Sequence, residues 1–232
     1  TLTIDLLLQI LNKQTQSTVD SVVDVPASQS IQEVASQNFN TIDQYLGGDR
    51  GLRMNIDACN ILIGNSNTVE GNHLDVFDKL KNETLDKRAF VYVPLSYGHN
   101  IKYKDSILTM GTALFKEKFV PLLKFSERAA YIDLLRSCSC AIFYHFRQQA
   151  MGNIIALLFM GARVYLSSKN PVFQYFTRIG IIVFDFENDF STFGNKRLDA
   201  NSIEANRTIL GSLFSEDIVI KHLKGLSVIL RK

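Results

Sequence analysis

Hydrophobic positions along the chain follow two regimes that change near Ile56. From there on, short apolar runs alternate with segments whose apolar residues recur at helical period. That alternation predicts a parallel sheet covered by helices. The strand runs are 58–63, 89–93, 119–125 (interrupted by Pro121), 140–145, 163–166 and 181–186. The last has no polar residue before Asp185, and such unbroken apolar strands are buried on both faces.

Between them lie helical patterns. Leu74, Phe77 and Leu80 share one face, and a second helix is predicted over 102–115. Ser126 is placed as an N-cap with Glu127 in the first turn, followed by Tyr131, Leu134, Leu135 and Cys138 at helical spacing. Segment 148–160 is apolar almost all round, which predicts a buried helix ended by Gly161. Asn170 at N-cap, Pro171 at N1 and Gly180 just past the end bound the next helix. Two more helices, 199–213 and 215–230, close the chain. Right-handed crossovers through about six such units give an α/β, doubly wound parallel sheet, Rossmann-like, with its ligand crevice at the strand C-terminal ends.

Residues 1–55 differ, being rich in Gln, Ser, Asn and Thr with a turn at Gly47-Gly48-Asp49. Helices are expected at 2–11 and 31–45. The segment reads as a linker, a remnant of a preceding N-terminal (acceptor) domain, or a surface appendage, with 56–232 as the Rossmann-like domain. Because the chain opens on Thr1, an N-terminal part is expected to precede it.

Composition narrows the function classes. A length of 232 residues with 46% hydrophobic and 21% charged residues suits one large globular domain. A formal net charge of +2 lacks the basic stripe of a dedicated nucleic-acid protein, so no nucleic acid is expected. It leaves room for a local basic patch facing phosphates or an anionic membrane. Three cysteines make no disulfide framework, and a reducing cytoplasm is the default. Cys138 and Cys140 have no further metal ligands near them in sequence and read as small buried apolar side chains. No apolar run reaches the roughly 20 residues that span a bilayer, and the cluster at 6–11 lacks the flanks of a signal peptide.

Candidate chemistry sits where strands end. Gly64-Asn65-Ser66 follows a strand and precedes a helix, so its amides can face an anion or simply turn the chain. It is not G-x-G-x-x-G, which disfavours a nicotinamide oxidoreductase. His145-Phe146-Arg147-Gln148-Gln149 opens the buried helix, with Gly152 and Asn153 one turn in. A helix start carries free N–H groups and partial positive charge. Arg147 adds a fork suited to phosphate, so a diphosphate is the expected occupant. The alternative is a solvated first turn. In Asp185-Phe-Glu-Asn-Asp189 the D-x-E pair could hold a cation, but helix capping or solvation is the expected role, with a ribose contact as the alternative, and no metal is expected. His73 and His99 have no carboxylate partner in sequence and read as local hydrogen-bonding residues.

At these positions the sequence resembles a known family. Ile61-Leu-Ile-Gly-Asn-Ser66, Val93-Pro-Leu-Ser-Tyr-Gly98, Phe146-Arg-Gln-Gln-Ala-Met-Gly152 and Asn170-Pro-Val-Phe-Gln174 fall in the order of its motifs. It is the bacterial 4-acetamido-4,6-dideoxygalactosyl (N-acetylfucosamine) transferases, or 4-alpha-L-fucosyltransferases, glycosyltransferase family 56, which build enterobacterial common antigen. The R-Q-Q-x-x-G segment is its most specific piece. The resemblance implies a GT-B fold of two facing Rossmann-like domains, this one holding the donor. It implies a dTDP-sugar donor, a polyprenyl-diphosphate-linked acceptor, no metal or other cofactor, and peripheral attachment at the cytoplasmic face of the bacterial inner membrane. By position, Gly64, Asn65, Ser66, Tyr97, Arg147, Gln148, Gln149 and Gly152 would surround the donor, with Asn170 and Gln174 as nucleotide contacts. Residues 1–55 match nothing in the family pattern, and no catalytic base is assigned. The competing expectations are a non-catalytic nucleotide-binding module and a GT-B transferase using another nucleotide sugar.

Overall fold

The computed structural model of the protein describes residues 41–221. Of these, residues 41–215 belong to one compact unit, and residues 216–221 are helical. Six strands make a single sheet: β1 (Asn60–Ile63), β2 (Val91–Pro94), β3 (Phe119–Leu122), β4 (Cys138–Phe143), β5 (Arg163–Leu166) and β6 (Phe184–Asp185). Their order is β3-β2-β1-β4-β5-β6, and every neighbouring pair is parallel. The winding direction reverses between β1 and β4, so the loops leaving those two strands diverge and open a crevice. Pro121 lies on the edge strand β3, opposite Val93, where a missing N–H costs least.

The helices are α1 (Ile42–Leu46), α2 (His73–Leu80), α3 (Ile101–Phe115), α4 (Arg128–Arg136), α5 (Met151–Met160), α6 (Pro171–Arg178), α7 (Phe186–Phe193) and α8 (Ala200–Phe214). Alternate strand residues feed two apolar layers, as a sheet covered on both faces requires. Leu62, Ala141, Phe143, Val164 and Leu166 pack with α5, α6 and α8, whereas Ile61, Ile63, Ile142 and Tyr165 pack with α2, α3 and α7. Every residue of α5 from Ile154 to Met160 is buried. At roughly 1.5–3 kcal/mol for each large apolar side chain, this burial fixes α5 against the sheet despite its polar N-terminus.

The cysteine pair sits where the chain passes from α4 into β4. Asn60 pairs with Cys138 but Ile61 with Cys140, so Ser139 is an unpaired bulge residue. The bulge sends Cys138 into one layer and Cys140 into the other. Burial pushes the Cys138 thiol up to about 12 and raises Cys140 as well, so both are inert packing groups.

Several boundaries differ from the sequence reading. The helix expected from Ser126 starts at Arg128, with Glu127 at the cap position and no side-chain cap bond. The helix expected from Gln148 starts at Met151, after a left-handed Ala150. The strand expected over 181–186 is reduced to Phe184–Asp185, because Asn206 of α8 occupies the backbone of Ile182. Ile182 N–H donates to Asn206 Oδ1 (2.7 Å), and Asn206 Nδ2 donates to the Ile182 carbonyl (3.0 Å).

The acidic segment after β6 is helix α7, which the strand reading missed. Asp185 caps it, its carboxylate accepting from Glu187 N–H at 3.2 Å. In the first 55 residues, the described helix starts only at Ile42, with Thr41 Oγ1 accepting from Gln44 N–H at 3.1 Å. Ile42, Leu46 and Met54 lie in the core beside α5. The expected helix at 2–11, most of 31–45, and the end of 215–230 lie outside the described residues.

Candidate functional site

The crevice is built from the loops after β1 and β4. Gly64 turns the chain with φ +69°, and its N–H still donates to Ile142 O at 2.9 Å, continuing the ladder. Asn65 and Ser66 follow. Gln149, arriving from the β4 side, donates its Nε2 amide to Asn65 Oδ1 (2.9 Å) and Ser66 Oγ (3.1 Å). Asn72 Nδ2 donates to the Tyr144 carbonyl at 2.8 Å. The two loops are therefore joined side chain to side chain and side chain to backbone.

The start of α5 is the most distinctive feature. Ala150 occupies the left-handed region with φ +59° and makes no side-chain cap, and the first helical bond is Ile154 N–H to Ala150 O at 3.0 Å. A β-carbon in that conformation is strained and tends to mark a functional site. The amides of Met151, Gly152 and Asn153 precede the first intrahelical bond, so the helix offers N–H groups and positive dipole charge. Tyr45 lies directly over Gly152: a β-carbon there would sit 1.8 Å from Tyr45 Cζ. Only glycine admits that ring.

The β4–α5 loop is shaped from behind. Asn170 Nδ2 donates to the carbonyls of His145 (2.7 Å) and Arg147 (3.2 Å), while its Oδ1 accepts from Val172 N–H (2.8 Å). Asn170 thus caps α6 and fixes residues 145–147, and its polar atoms are committed to that task. Arg147 Nε donates to Gln149 Oε1 at 3.3 Å, and its guanidinium is 4.0 Å from Glu70 with both side chains more than half exposed. Such an exposed pair is worth at most about 1 kcal/mol, so Glu70 leaves Arg147 available to a stronger anion.

A cavity of about 520 Å³ opens beside these loops, within the size range of small-molecule sites. Asn65, Ser66, Tyr97 and Asn153 line it, together with Tyr45, Lys124, Phe125, Arg128 and Tyr131. The Tyr97 carbonyl accepts from Asn67 N–H, tying the β2 loop to the β1 loop. Tyr97 and Phe125 meet edge to face, 6.0 Å between centroids, both exposed. Asn153 Nδ2 donates to the Tyr131 hydroxyl at 3.0 Å, and burial raises that phenol well above its ordinary range, keeping it neutral. The cavity therefore has an aromatic mouth, two cations, and a floor of amides and hydroxyls.

Of the residues singled out by sequence, Gly64, Asn65, Ser66, Tyr97, Arg147, Gln149, Gly152 and Asn153 gather at the crevice loops. Gln148 is half-buried in the same loop. Gln174 is exposed on α6, its amide 3.5 Å from Ser168 O, and does not line the cavity. Sequence reasoning missed Lys124, Phe125, Arg128, Tyr131 and Tyr45. The run Lys124-Phe125-Ser126-Glu127-Arg128, aromatic between cations at a strand C-terminal end, was the signal that could have found three of them. His73 and His145 are fully buried beneath the loops, and desolvation first of all depresses both imidazoles to about 4. Asp185, as a helix cap, is occupied; among the described residues no group of three acidic, histidine or cysteine side chains could hold a metal ion. No helix among them is long and apolar enough to cross a membrane.

Solved glycosyltransferases share this fold at low identity. Anabaena Alr3699/HepE in complex with UDP-glucose superposes with TM-score 0.56 and 12% identity, over 81% of this chain and 51% of that one. A glycosyltransferase from Rickettsia africae ESF-5 gives 0.57 and 15%, over 88% and 52%. The α,α-trehalose 6-phosphate synthase of Burkholderia multivorans gives 0.53 and 10%, over 87% and 48%. The chain spans about half the length of these enzymes and has the Rossmann-like fold of one half of a GT-B glycosyltransferase. The family described as 4-alpha-L-fucosyltransferase glycosyl transferase group 56 matches residues 48–218, most of the chain. The protein belongs to that glycosyltransferase family.

Proposed function

We propose that this chain is the donor half of a glycosyltransferase that moves a Fuc4NAc-like 6-deoxy amino sugar from a dTDP-sugar to a polyprenyl-diphosphate-linked glycan. The observation that carries the reading is the α5 N-terminus. Its uncapped amides and strained Ala150 follow the β4 loop that carries Arg147. Residues Gly64, Asn65, Ser66, Arg147, Gln148, Gln149, Gly152 and Asn153 then surround the diphosphate. The aromatic mouth at Tyr97 and Phe125 receives the thymine, and Lys124 and Arg128 add charge to that end.

In transfer, the bond between the sugar C1 and the β-phosphate oxygen breaks and the acceptor hydroxyl oxygen bonds C1. The hydroxyl proton passes to a base, and dTDP leaves with added negative charge. Donors preorganised where that charge develops lower the barrier selectively, and Arg147 with the helix terminus can do so without a metal. We assign the base and the acceptor site to a second half of the enzyme, seated on the cytoplasmic face of the inner membrane.

A second reading has its own support: a chain spanning about half of its structural relatives can bind nucleotide without catalysing transfer. Calorimetric titration with dTDP, followed by a transfer assay with dTDP-Fuc4NAc and lipid-linked acceptor, separates the two. Binding with turnover supports the transferase, and binding without turnover supports the module. Failure to bind dTDP overturns both.

A further inference from the structure

A second cavity, of about 350 Å³, opens at the crevice loops, lined by Val69, Glu70, Asn72, Phe146 and Arg147. It shares no lining residue with the cavity of Tyr97 and Phe125. Gln149 links the two. Its Oε1 accepts from Arg147 Nε at 3.3 Å, in the wall of the second. Its Nε2 donates to Asn65 Oδ1 at 2.9 Å and Ser66 Oγ at 3.1 Å, in the wall of the first.

The second cavity is built by one short turn and one loop. Val69 and Glu70 stand on the 3₁₀ turn Val69–Gly71. Asn72, left-handed at φ +51°, closes that turn by donating its N–H to Val69 O at 3.0 Å. Its Nδ2 donates to Tyr144 O at 2.8 Å, which holds the turn against the loop carrying Phe146 and Arg147. The Phe146 ring meets Tyr144 edge to face, 5.4 Å between centroids. Val69 and Phe146 are nevertheless each about half exposed. Single apolar side chains at a surface are ordinary, but two that share a concave pocket with the cation of the site call for an occupant. The polar groups beside them are Asn72, whose amide already donates to Tyr144, and the loose Glu70–Arg147 pair at 4.0 Å.

A nucleotide sugar runs in a fixed order: base, ribose, two phosphates, sugar. With thymine at Tyr97 and Phe125, and the diphosphate along Asn65, Ser66, Gln149 and Arg147, the sugar emerges on the Arg147 side. It hangs through one oxygen from the phosphate that Arg147 holds. We propose that the second cavity is the donor-sugar subsite, and that Val69 and Phe146 set its specificity for a 6-deoxy sugar carrying an N-acetyl group. This inference rests on the donor-site reading above. The two apolar side chains cover the methyl groups that such a sugar has and a fully hydroxylated hexose lacks. A 6-hydroxyl placed against them would lose water and gain no hydrogen bond from either. Glu70 accepts from a ring hydroxyl, and Arg147 turns from Glu70 to the phosphate. Their own pair is too exposed to resist the exchange.

Calorimetric titration of the full chain with dTDP and three dTDP-sugars tests the assignment. The sugars are galactose, 6-deoxygalactose and 4-acetamido-4,6-dideoxygalactose, which keep one ring configuration and add methyl groups one at a time. Kd should tighten about tenfold at each step, the lower end of the range for one such group in an apolar pocket. Val69→Ser and Phe146→Ala combined in one chain, with the fold checked by thermal melt, should compress the three sugars to within about threefold of one another. Each single variant should lose part of the series. Equal Kd values for the three sugars in the unmutated chain overturn the subsite, whatever the variants do. So does a full series kept by the folded double variant. In both cases dTDP still binds, and the donor-site reading survives. Failure of the unmutated chain to bind dTDP removes that reading and this inference together.

Discussion

Gln149 and Asn65 meet across the switch point of the sheet, with Gln149 Nε2 donating to Asn65 Oδ1 at 2.9 Å. The same amide donates to Ser66 Oγ at 3.1 Å. One side chain from the β4 loop thus spans both polar residues of the β1 turn. Gln149→Glu keeps the shape but replaces the donor with a carboxylate facing two oxygens. The expected result is a loss of about 1–3 kcal/mol in chemical denaturation and weaker dTDP binding than in Gln149→Ala. An unchanged denaturation midpoint in Gln149→Glu would show that the loops are held by other contacts.

Arg147 is exposed and loosely paired, so its removal should leave stability within about 0.5 kcal/mol of the unmutated chain. In the intact enzyme, Arg147→Ala should lower kcat by about 10²–10³, the range for losing one preorganised donor to developing charge. Arg147→Lys should recover only part, because a point charge lacks the bidentate fork. Steady-state transfer assays with melts in parallel check both. Near-normal kcat in Arg147→Ala would remove the residue from the leaving-group site.

The division between what was legible in the sequence and what was not follows contact range. The sheet and its winding were legible because burial on both faces writes unbroken apolar runs, and Asn170-Pro171 with Gly180 marks α6 locally. The start of α5 was not legible. Gln148 and Gln149 are good helix formers, and the left-handed Ala150 that excludes them from the helix is set by the loop clamp and the packing of Tyr45. The shortening of β6 depends on Asn206, and the cavity wall at Tyr45 depends on a segment read as an appendage. Both contacts are distant in sequence and leave no local trace. Capping was one of the roles expected for the acids at 185–189, and Asp185 takes it, but the helix it begins was hidden behind the preceding apolar run.

The buried histidines give the fold a defined pH response. His73 drops from its ordinary value near 6.5 to about 4, through desolvation first and His145 second. His145 drops to about 4 through desolvation, opposed by its hydrogen bonds to backbone. A depressed histidine pKa means the unfolded chain binds protons that the native state refuses. The associated stability is full above pH 6.5 and falls as pH drops from 6.5 towards 4, by up to about 1.4 kcal/mol per pH unit for each histidine. Urea midpoints at pH 7.5, 6 and 5 should decline, and His73→Phe should flatten the decline by one proton. A slope that is the same in His73→Phe would place the response elsewhere.

Ala150 holds a β-carbon at φ +59° where the first turn of α5 begins. The left-handed region costs a non-glycine residue about 1–2 kcal/mol, partly offset in glycine by backbone entropy. Ala150→Gly should therefore stabilise the chain by about 0.5–1 kcal/mol, and Ala150→Val should destabilise it by more than that. If Ala150→Gly stabilises yet weakens dTDP binding, the strain contributes to holding the loop in its binding shape. Equal affinity would show the strain to be incidental to binding.

Tyr45 and Gly152 test whether the segment before β1 belongs to the site. The ring lies where a Gly152 β-carbon would have to go, with Tyr45 Cζ only 1.8 Å from that position. Gly152→Ala must then displace Tyr45 from the α5 N-terminus, at a cost of about 1–3 kcal/mol, the range for overpacking. Tyr45→Ala alone should also destabilise by loss of aromatic burial. The double variant should be more stable than the sum of the two, because removing the ring makes room for the methyl group. A double-mutant cycle by denaturation measures that coupling, and a value above about 0.5 kcal/mol marks direct contact. Additive single effects would mean that Tyr45 and α5 do not share this packing in solution, and the wall of the cavity on that side would have to be drawn without the tyrosine.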